Sequence, residues 1–212
     1  VANTRKVILP ALEAARKAGV GRVCFLSLVG MDGMKTVPHR AVEDYLRSSG
    51  QDYAFPRAGF FMQNLDTTHR AEIRDRDELY VPAGDSRASF VDVRDLGEVA
   101  ALALLEGRGR RVAWELPGAE ALDYHEVAIL LSRALGRRIS YRRPSGAAYV
   151  ARRLAEGESL GLALISAWLY ANTRKGMAQE ASGELERLLG RPPRSMRQYV
   201  EDHRWVWQRP PA

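Results

Sequence analysis

The stretch from Ala15 to Ser27 constrains the fold of this chain more than any other. Helical spacing runs up to Gly19, a Gly-Val-Gly turn follows, and six residues, Arg22-Val23-Cys24-Phe25-Leu26-Ser27, then form a nearly continuous apolar run. A short run of that kind, bounded by glycines, predicts a buried strand of a parallel sheet. Before it, residues 3–17 predict an amphipathic helix, because Ile8, Leu12, Ala15 and Ala18 recur near the 3.6 period and Gly19 stops them. Pro10 conflicts with an interior helical position, where it removes one backbone bond. Helix, turn and strand together are the second half of a βαβ unit.

The rest of the chain repeats the alternation. Pro38 opens a helix over 39–49, ended by Gly50. Strands are predicted at 52–56 and 111–116, with short extended pieces at 79–82 and 88–91. A helix is predicted over 92–106, and Asp123 caps another that ends at Gly136. After a short strand at 139–141 the chain reads as helical over 147–156, 160–175, 184–189 and 196–207. Strands alternating with helices imply an α/β fold with a Rossmann-like, doubly wound parallel sheet. The helical tail implies a small, mostly helical C-terminal lobe. We expect residues 1–116 to belong to the sheet domain and 117–212 to the lobe on the substrate side.

Bulk properties exclude several classes. The single cysteine, Cys24, rules out an internal disulfide and fits inert core in an apolar strand. No apolar run reaches the roughly 20 residues of a membrane helix, and the first residues lack a signal-peptide pattern, so a cytoplasmic protein is expected. The net charge of +6 raises nucleic acid as a partner. The arginines, however, fall into small groups (Arg108, Arg110 and Arg111; Arg137, Arg138, Arg142 and Arg143; Arg152 and Arg153) that match no nucleic-acid-binding signature. His69, His125 and His203 have no ligand-spaced partner, so no metal is expected. Trp168, Trp205 and Trp207 read as packing residues, or else as a border of the substrate cleft between sheet and tail.

Four stretches, in order, resemble one family. Ala15-Arg16-Lys17-Ala18-Gly19-Val20 with Leu26-Ser27 is similar to its strand entry, and the helix from His39 through Glu43 to Gly50 resembles its "HxxxExxLxxSG" segment. Arg57-Ala58-Gly59-Phe60-Phe61-Met62-Gln63-Asn64-Leu65 resembles "RPGxFMxNL", with Ala58 where the family has proline. Pro82-Ala83-Gly84-Asp85 through Phe90-Val91-Asp92-Val93-Arg94-Asp95 resembles the next motif, and Gly190-Arg191-Pro192-Pro193 also fits. The chain is identified as a member of the NmrA-like group of atypical short-chain dehydrogenases. That group includes NAD(P)H-dependent quinone, azo-dye and triphenylmethane reductases, and nucleotide-binding redox sensors without turnover. The resemblance implies NADP or NAD as cofactor and a small-molecule acceptor. Its glycine fingerprint, a GxTGxxG turn from strand to helix that seats the pyrophosphate, does not occur here. The GxG at Gly19 to Gly21 runs from helix to strand instead. The first nucleotide-binding half is therefore expected to be missing.

Hydride transfer needs a held nicotinamide and a group that protonates or polarises the acceptor. The usual Tyr-x-x-x-Lys pair is replaced by His39 and Glu43, spaced i, i+4. We expect Ser27 to donate a hydrogen bond near the nicotinamide or acceptor, or else to be a polar strand end bonded to backbone. His39 is expected as proton donor or cofactor ligand, or else as a solvent-facing first-turn residue. Glu43 pairs with His39 or is an exposed helix charge, and Tyr45 lies on another face. Gly59 is expected to admit a close backbone approach to the cofactor, with Phe60 and Phe61 jointly walling the acceptor pocket. Asp92 and Asp95 fit helix capping. The expected activity is NAD(P)H-dependent reduction of a quinone-like or other conjugated acceptor. NAD(P) sensing without turnover is the alternative.

Overall fold

The computed structural model describes residues 4–34, 37–107, 109–173 and 183–209. Arg108, the expected helix start at residue 3 and the expected helix end at 174–175 lie outside them. In chain order the elements begin with α1 (Leu9–Lys17), β1 (Arg22–Cys24), β2 (Ser27–Leu28), α2 (Pro38–Ser48), β3 (Asp52–Ala58) and β4 (Phe60–Phe61). Then come α3 (Arg70–Arg76), β5 (Glu78–Tyr80), β6 (Ala88–Val91), α4 (Val93–Leu105), β7 (Val112–Leu116), β8 (Glu120–Leu122) and α5 (Tyr124–Leu135). The last are β9 (Ser140–Arg142), α6 (Gly146–Ala155), α7 (Leu160–Thr173), α8 (Glu184–Leu189) and α9 (Met196–His203).

Pro10 causes no break. A wide helical turn at Thr4–Ile8 runs directly into α1, and Pro10 is the second residue of the regular helix.

The predicted strand at 22–27 is two pieces, β1 and β2, both parallel to β3. Between them Phe25 still donates to the Ala54 carbonyl at 2.9 Å, while Leu26 turns outward and is exposed. β1 is only half-buried. Among the described residues it is the sheet edge, in the order β1/β2, β3, β7, so one of its flanks carries no neighbouring strand.

Helices cover both faces of this parallel sheet, and the alternation of β3 shows how. Ala54 and Ala58 pack with Trp114 and Leu116 against Leu96, Val99 and Ala103 of α4 and Leu185 and Leu188 of α8. Tyr53 and Phe55 face the other way, against Val42 and Leu46 of α2. Arg57 continues this α2 side to the carboxyl end of β3. Both faces of a doubly wound sheet are thus filled, as the strand pattern predicts.

Beyond the strand ends lie two small sheets, β4-β6-β8 and β5-β9. No strand is predicted at 120–122, where β8 pairs antiparallel with β6. Glu120-Ala121-Leu122 carries no β-branched residue to announce it. The largest apolar cluster runs through this part and unites Met62, Ile73 and Phe90, from before residue 117, with Tyr124, Leu131, Tyr170, Tyr199 and Trp207. Asp123 caps α5 in a reciprocal box with Glu126, and Gly136 ends it in the left-handed conformation.

Candidate functional site

The carboxyl ends of β2, β3 and β7 meet α2, and a buried polar cluster gathers there around Arg57. Its Nε and Nη2 donate to Glu43 Oε1 and Oε2 at 3.1 and 2.7 Å. Nη1 donates to Glu115 Oε1 at 2.8 Å, and both terminal nitrogens form a fork on Asp32 at 3.1 and 3.0 Å. Arg57 and Glu43 are almost wholly buried. Burial pushes the Glu43 carboxyl up, but hydrogen bonds from Arg57, Ser27 and Arg47 outweigh it and hold the group below its ordinary value. Arg57 likewise holds the Asp32 carboxyl below the usual range.

Ser27 is buried, and its hydroxyl donates to Glu43 Oε1 at 2.7 Å. Its bond is therefore neither to backbone nor free, and the proton is already committed to a carboxylate. Glu43 is not an exposed helix charge. It faces inward, and its partners are Arg57, Ser27 and Arg47 rather than His39. His39 is half-buried in the first turn of α2, tilted against Phe25 with ring centroids 5.8 Å apart. Burial holds its imidazole below 6.5, so it is neutral at pH 7. Among the described residues no hydrogen bond joins it to Ser27 or Glu43. Tyr45 points to α1, donating to Glu13 at 2.6 Å.

Gly59 does allow a close approach, but of protein backbone. A Cβ there would stand 2.7 Å from the Ser89 carbonyl oxygen and 2.9 Å from that of Pro117. Phe60 and Phe61 are both half-buried and, as neighbours on one strand, face opposite ways. Phe60 packs on the lobe cluster, stacked on Tyr170 at 6.0 Å, whereas Phe61 packs on the α4 side of the sheet. Only one of them can wall any single pocket.

Sequence reasoning missed the hub itself. Arg57, Asp32 and Glu115 are distant in the chain, and no local period links them. It also missed His69, which is buried and bridges Glu72, at 3.0 Å, to the Tyr170 hydroxyl, at 2.9 Å. The carboxylate accepts from Nδ1, which leaves Nε2 to the tyrosine. A cavity of about 580 Å³ lies beside this chain, lined by Thr68, Glu72, Arg153, Glu158 and Ser166 among others, and by none of Ser27, His39, Gly59, Phe60 or Phe61.

The remaining expectations divide. Asp92 caps α4 by accepting from Arg94 N–H at 2.8 Å, but Asp95 is no cap: it accepts from the Arg194 backbone at 2.8 Å and from the side chains of Arg191 and Arg194, tying the C-terminal segment to α4. Arg137, Arg142, Arg143, Arg152 and Arg153 all stand in ion pairs with carboxylates. Trp207 is buried and donates to the Leu65 carbonyl, whereas Trp168 and Trp205 are exposed. Cys24 packs at the rim of the α4-side cluster, and burial pushes its thiol up. Among the described residues no helix is long and apolar enough to cross a membrane, and no group of acidic, histidine or cysteine side chains is placed to hold a metal.

Several known proteins are similar to this chain in sequence or in fold. An uncharacterized oxidoreductase of Bacillus subtilis, YesF, is 27% identical over 94% of this chain and 70% of its own length. The NAD(P)H azoreductase of Xenophilus azovorans is 30% identical over 76% of this chain and 56% of its own. The chain thus spans between 56% and 70% of the length of these relatives. The NADPH-dependent quinone oxidoreductase of Escherichia coli superposes with a TM-score of 0.82 at 25% identity, over 97% of this chain and 74% of that one. Its complex with NADPH superposes at 0.81, over 91% of this chain and 69% of that one. The model of the NmrA-like family matches residues 11–190. With the parallel sheet, its covering helices and the carboxyl-edge cluster in place, the chain belongs to the NmrA-like family.

Proposed function

We propose that this chain forms the nicotinamide side of an NAD(P)H-dependent oxidoreductase that reduces a quinone-like or other conjugated small molecule. The observation that carries the reading is the polar cluster at the carboxyl ends of β2, β3 and β7. That edge is where ligands bind in doubly wound sheets. The family and the named activities of the relatives point the same way.

The residues present suit the nicotinamide end of such a cofactor and not its pyrophosphate. Gly59 is bare to fit between two carbonyls, and the GxTGxxG turn that would seat a pyrophosphate does not occur in this sequence. Bound NADPH or NADH would supply the hydride. The Ser27 hydroxyl directs its hydrogen bond to Glu43, so its oxygen lone pairs are what it offers, as an acceptor for an N–H such as a carboxamide's. His39 is half-exposed, and its imidazolium form, loaded from solvent, is the proton donor on this edge. Phe60 offers the flat apolar surface on which a conjugated acceptor stacks.

Steady-state oxidation of NADPH and of NADH, each with a soluble quinone, tests this. Turnover that falls in His39→Gln supports it. Binding of nucleotide without turnover on any acceptor sinks the enzyme reading and leaves a nucleotide sensor. One observation favours that second reading: Tyr45 is committed to Glu13, so no tyrosine on α2 restores the missing pair.

A further inference from the structure

Asp32 is 81% exposed, yet it holds Arg57 through two parallel hydrogen bonds. A carboxylate so exposed gains little from an ordinary surface partner, because both side chains must be immobilised to meet. Here the partner is immobile beforehand. The Arg57 side chain is 3% exposed and is fixed by Glu43 and Glu115. Its planar fork presents a ready seat for one more carboxylate.

That seat fastens one loop. Residues 29–34 leave β2 at the carboxyl edge of the sheet. Val29 N–H donates to the Ala58 carbonyl at 3.1 Å, and Gly30 N–H donates to Glu115 Oε2 at 3.1 Å. Met31 is fully buried, and Gly30 takes a φ of +75°, which turns the chain and which a side chain would strain. Two of the ties, at Gly30 and at Asp32, therefore run to groups that Arg57 organises. Ser27 sits two residues before this loop and hangs on the same hub through Glu43. A wall held in its binding shape in advance raises affinity by sparing the ordering that a mobile loop would require.

We propose that Arg57 is a positioning residue, and that its fork on Asp32 clamps residues 29–34 as a preformed wall for a nicotinamide dinucleotide bound beside Ser27. The inference rests on the functional reading above, and the test separates the two.

Asp32→Ala removes the clamp at an exposed position, so melting should stay within about 2 °C of the parent. Hydrogen exchange at the Gly30 amide, and at the Gly33 amide, which donates to the Gly30 carbonyl at 3.1 Å, should accelerate about tenfold or more. NADPH affinity, titrated by calorimetry, should weaken about three- to tenfold, with KM rising while kcat holds. Asp32→Glu should restore part of each effect, and Arg57→Lys, which keeps the charge and loses the fork, should speed exchange at both amides. Unchanged exchange in Asp32→Ala overturns the clamp. Faster exchange with unchanged NADPH affinity overturns the positioning role. A parent chain that protects both amides yet binds no NADPH overturns the nucleotide reading, and the positioning role falls with it while the clamp stands.

Discussion

Replacing Arg57 by methionine should be the most damaging single change at the carboxyl edge, and the reason lies in what it leaves behind. The substitution keeps much of the side-chain length and strips the fully buried Glu43 of two hydrogen bonds from a cation, at 3.1 and 2.7 Å. Removing one partner of a buried pair costs about 3–5 kcal/mol, because the other charge stays desolvated. Glu43 keeps its bonds to Ser27 and Arg47, and the exposed Asp32 loses little, so the low end applies, about 3 kcal/mol. In urea denaturation at pH 7 that is a midpoint lowered by about 1 M. The penalty must depend on pH, with a definite sign. In the parent, Glu43 is held below its ordinary value of 4.5, so its contribution is present above that pH and is lost only as the pH falls toward the depressed folded value. In Arg57→Met, burial prevails and raises the carboxyl, so acid neutralises it and relieves the penalty. The gap between variant and parent should therefore shrink from pH 7 to pH 5. Adding Glu43→Gln to Arg57→Met should recover stability relative to Arg57→Met alone. A cost under about 1 kcal/mol, or a cost equal at both pH values, would refute the argument.

Three further outcomes follow from individual contacts. Gly59→Ala drives a methyl into the Ser89 and Pro117 carbonyls, both backbone, and should destabilise by about 1–3 kcal/mol in thermal melts; a neutral result would mean those segments separate freely. Asp123→Ala removes the cap of α5 and should cost about 1 kcal/mol, with Asp123→Asn costing less. The His39 imidazole, held down by burial, should titrate below 6.5 by proton NMR. The unfolded chain then binds the extra proton first, so stability should fall as the pH drops from 6.5 toward the folded value, and His39→Gln should flatten that slope; a midpoint above 6.5 contradicts the burial argument.

How much of this was legible from residues alone follows the range of the interaction concerned. The helices at 39–49 and 92–106 were readable because their caps, stops and apolar spacing lie within one or two turns. The same holds for Asp92 and Asp123 as caps, whose acceptors reach only two or three residues ahead. β8 was not readable, because it exists only through its pairing with β6. Asp92 and Asp95 look alike in sequence, yet the second serves a segment 99 residues away. Glu43 looks like a solvated helix charge until β3 brings Arg57 beneath it.

By itself the sequence determined the alternation of strands and helices, the glycine stops and the apolar faces that demand a parallel sheet covered on both sides. Those properties are set by backbone preference and side-chain period, and both are local. Tertiary structure alone decided which polar groups meet at the carboxyl edge. Asp32, Glu43, Arg57 and Glu115 come from four separate parts of the chain. They acquire partners, burial and shifted protonation only when parallel strands and α2 bring their ends together, since hydrogen bonds and ion pairs act over a few ångströms and sequence distance carries no record of them.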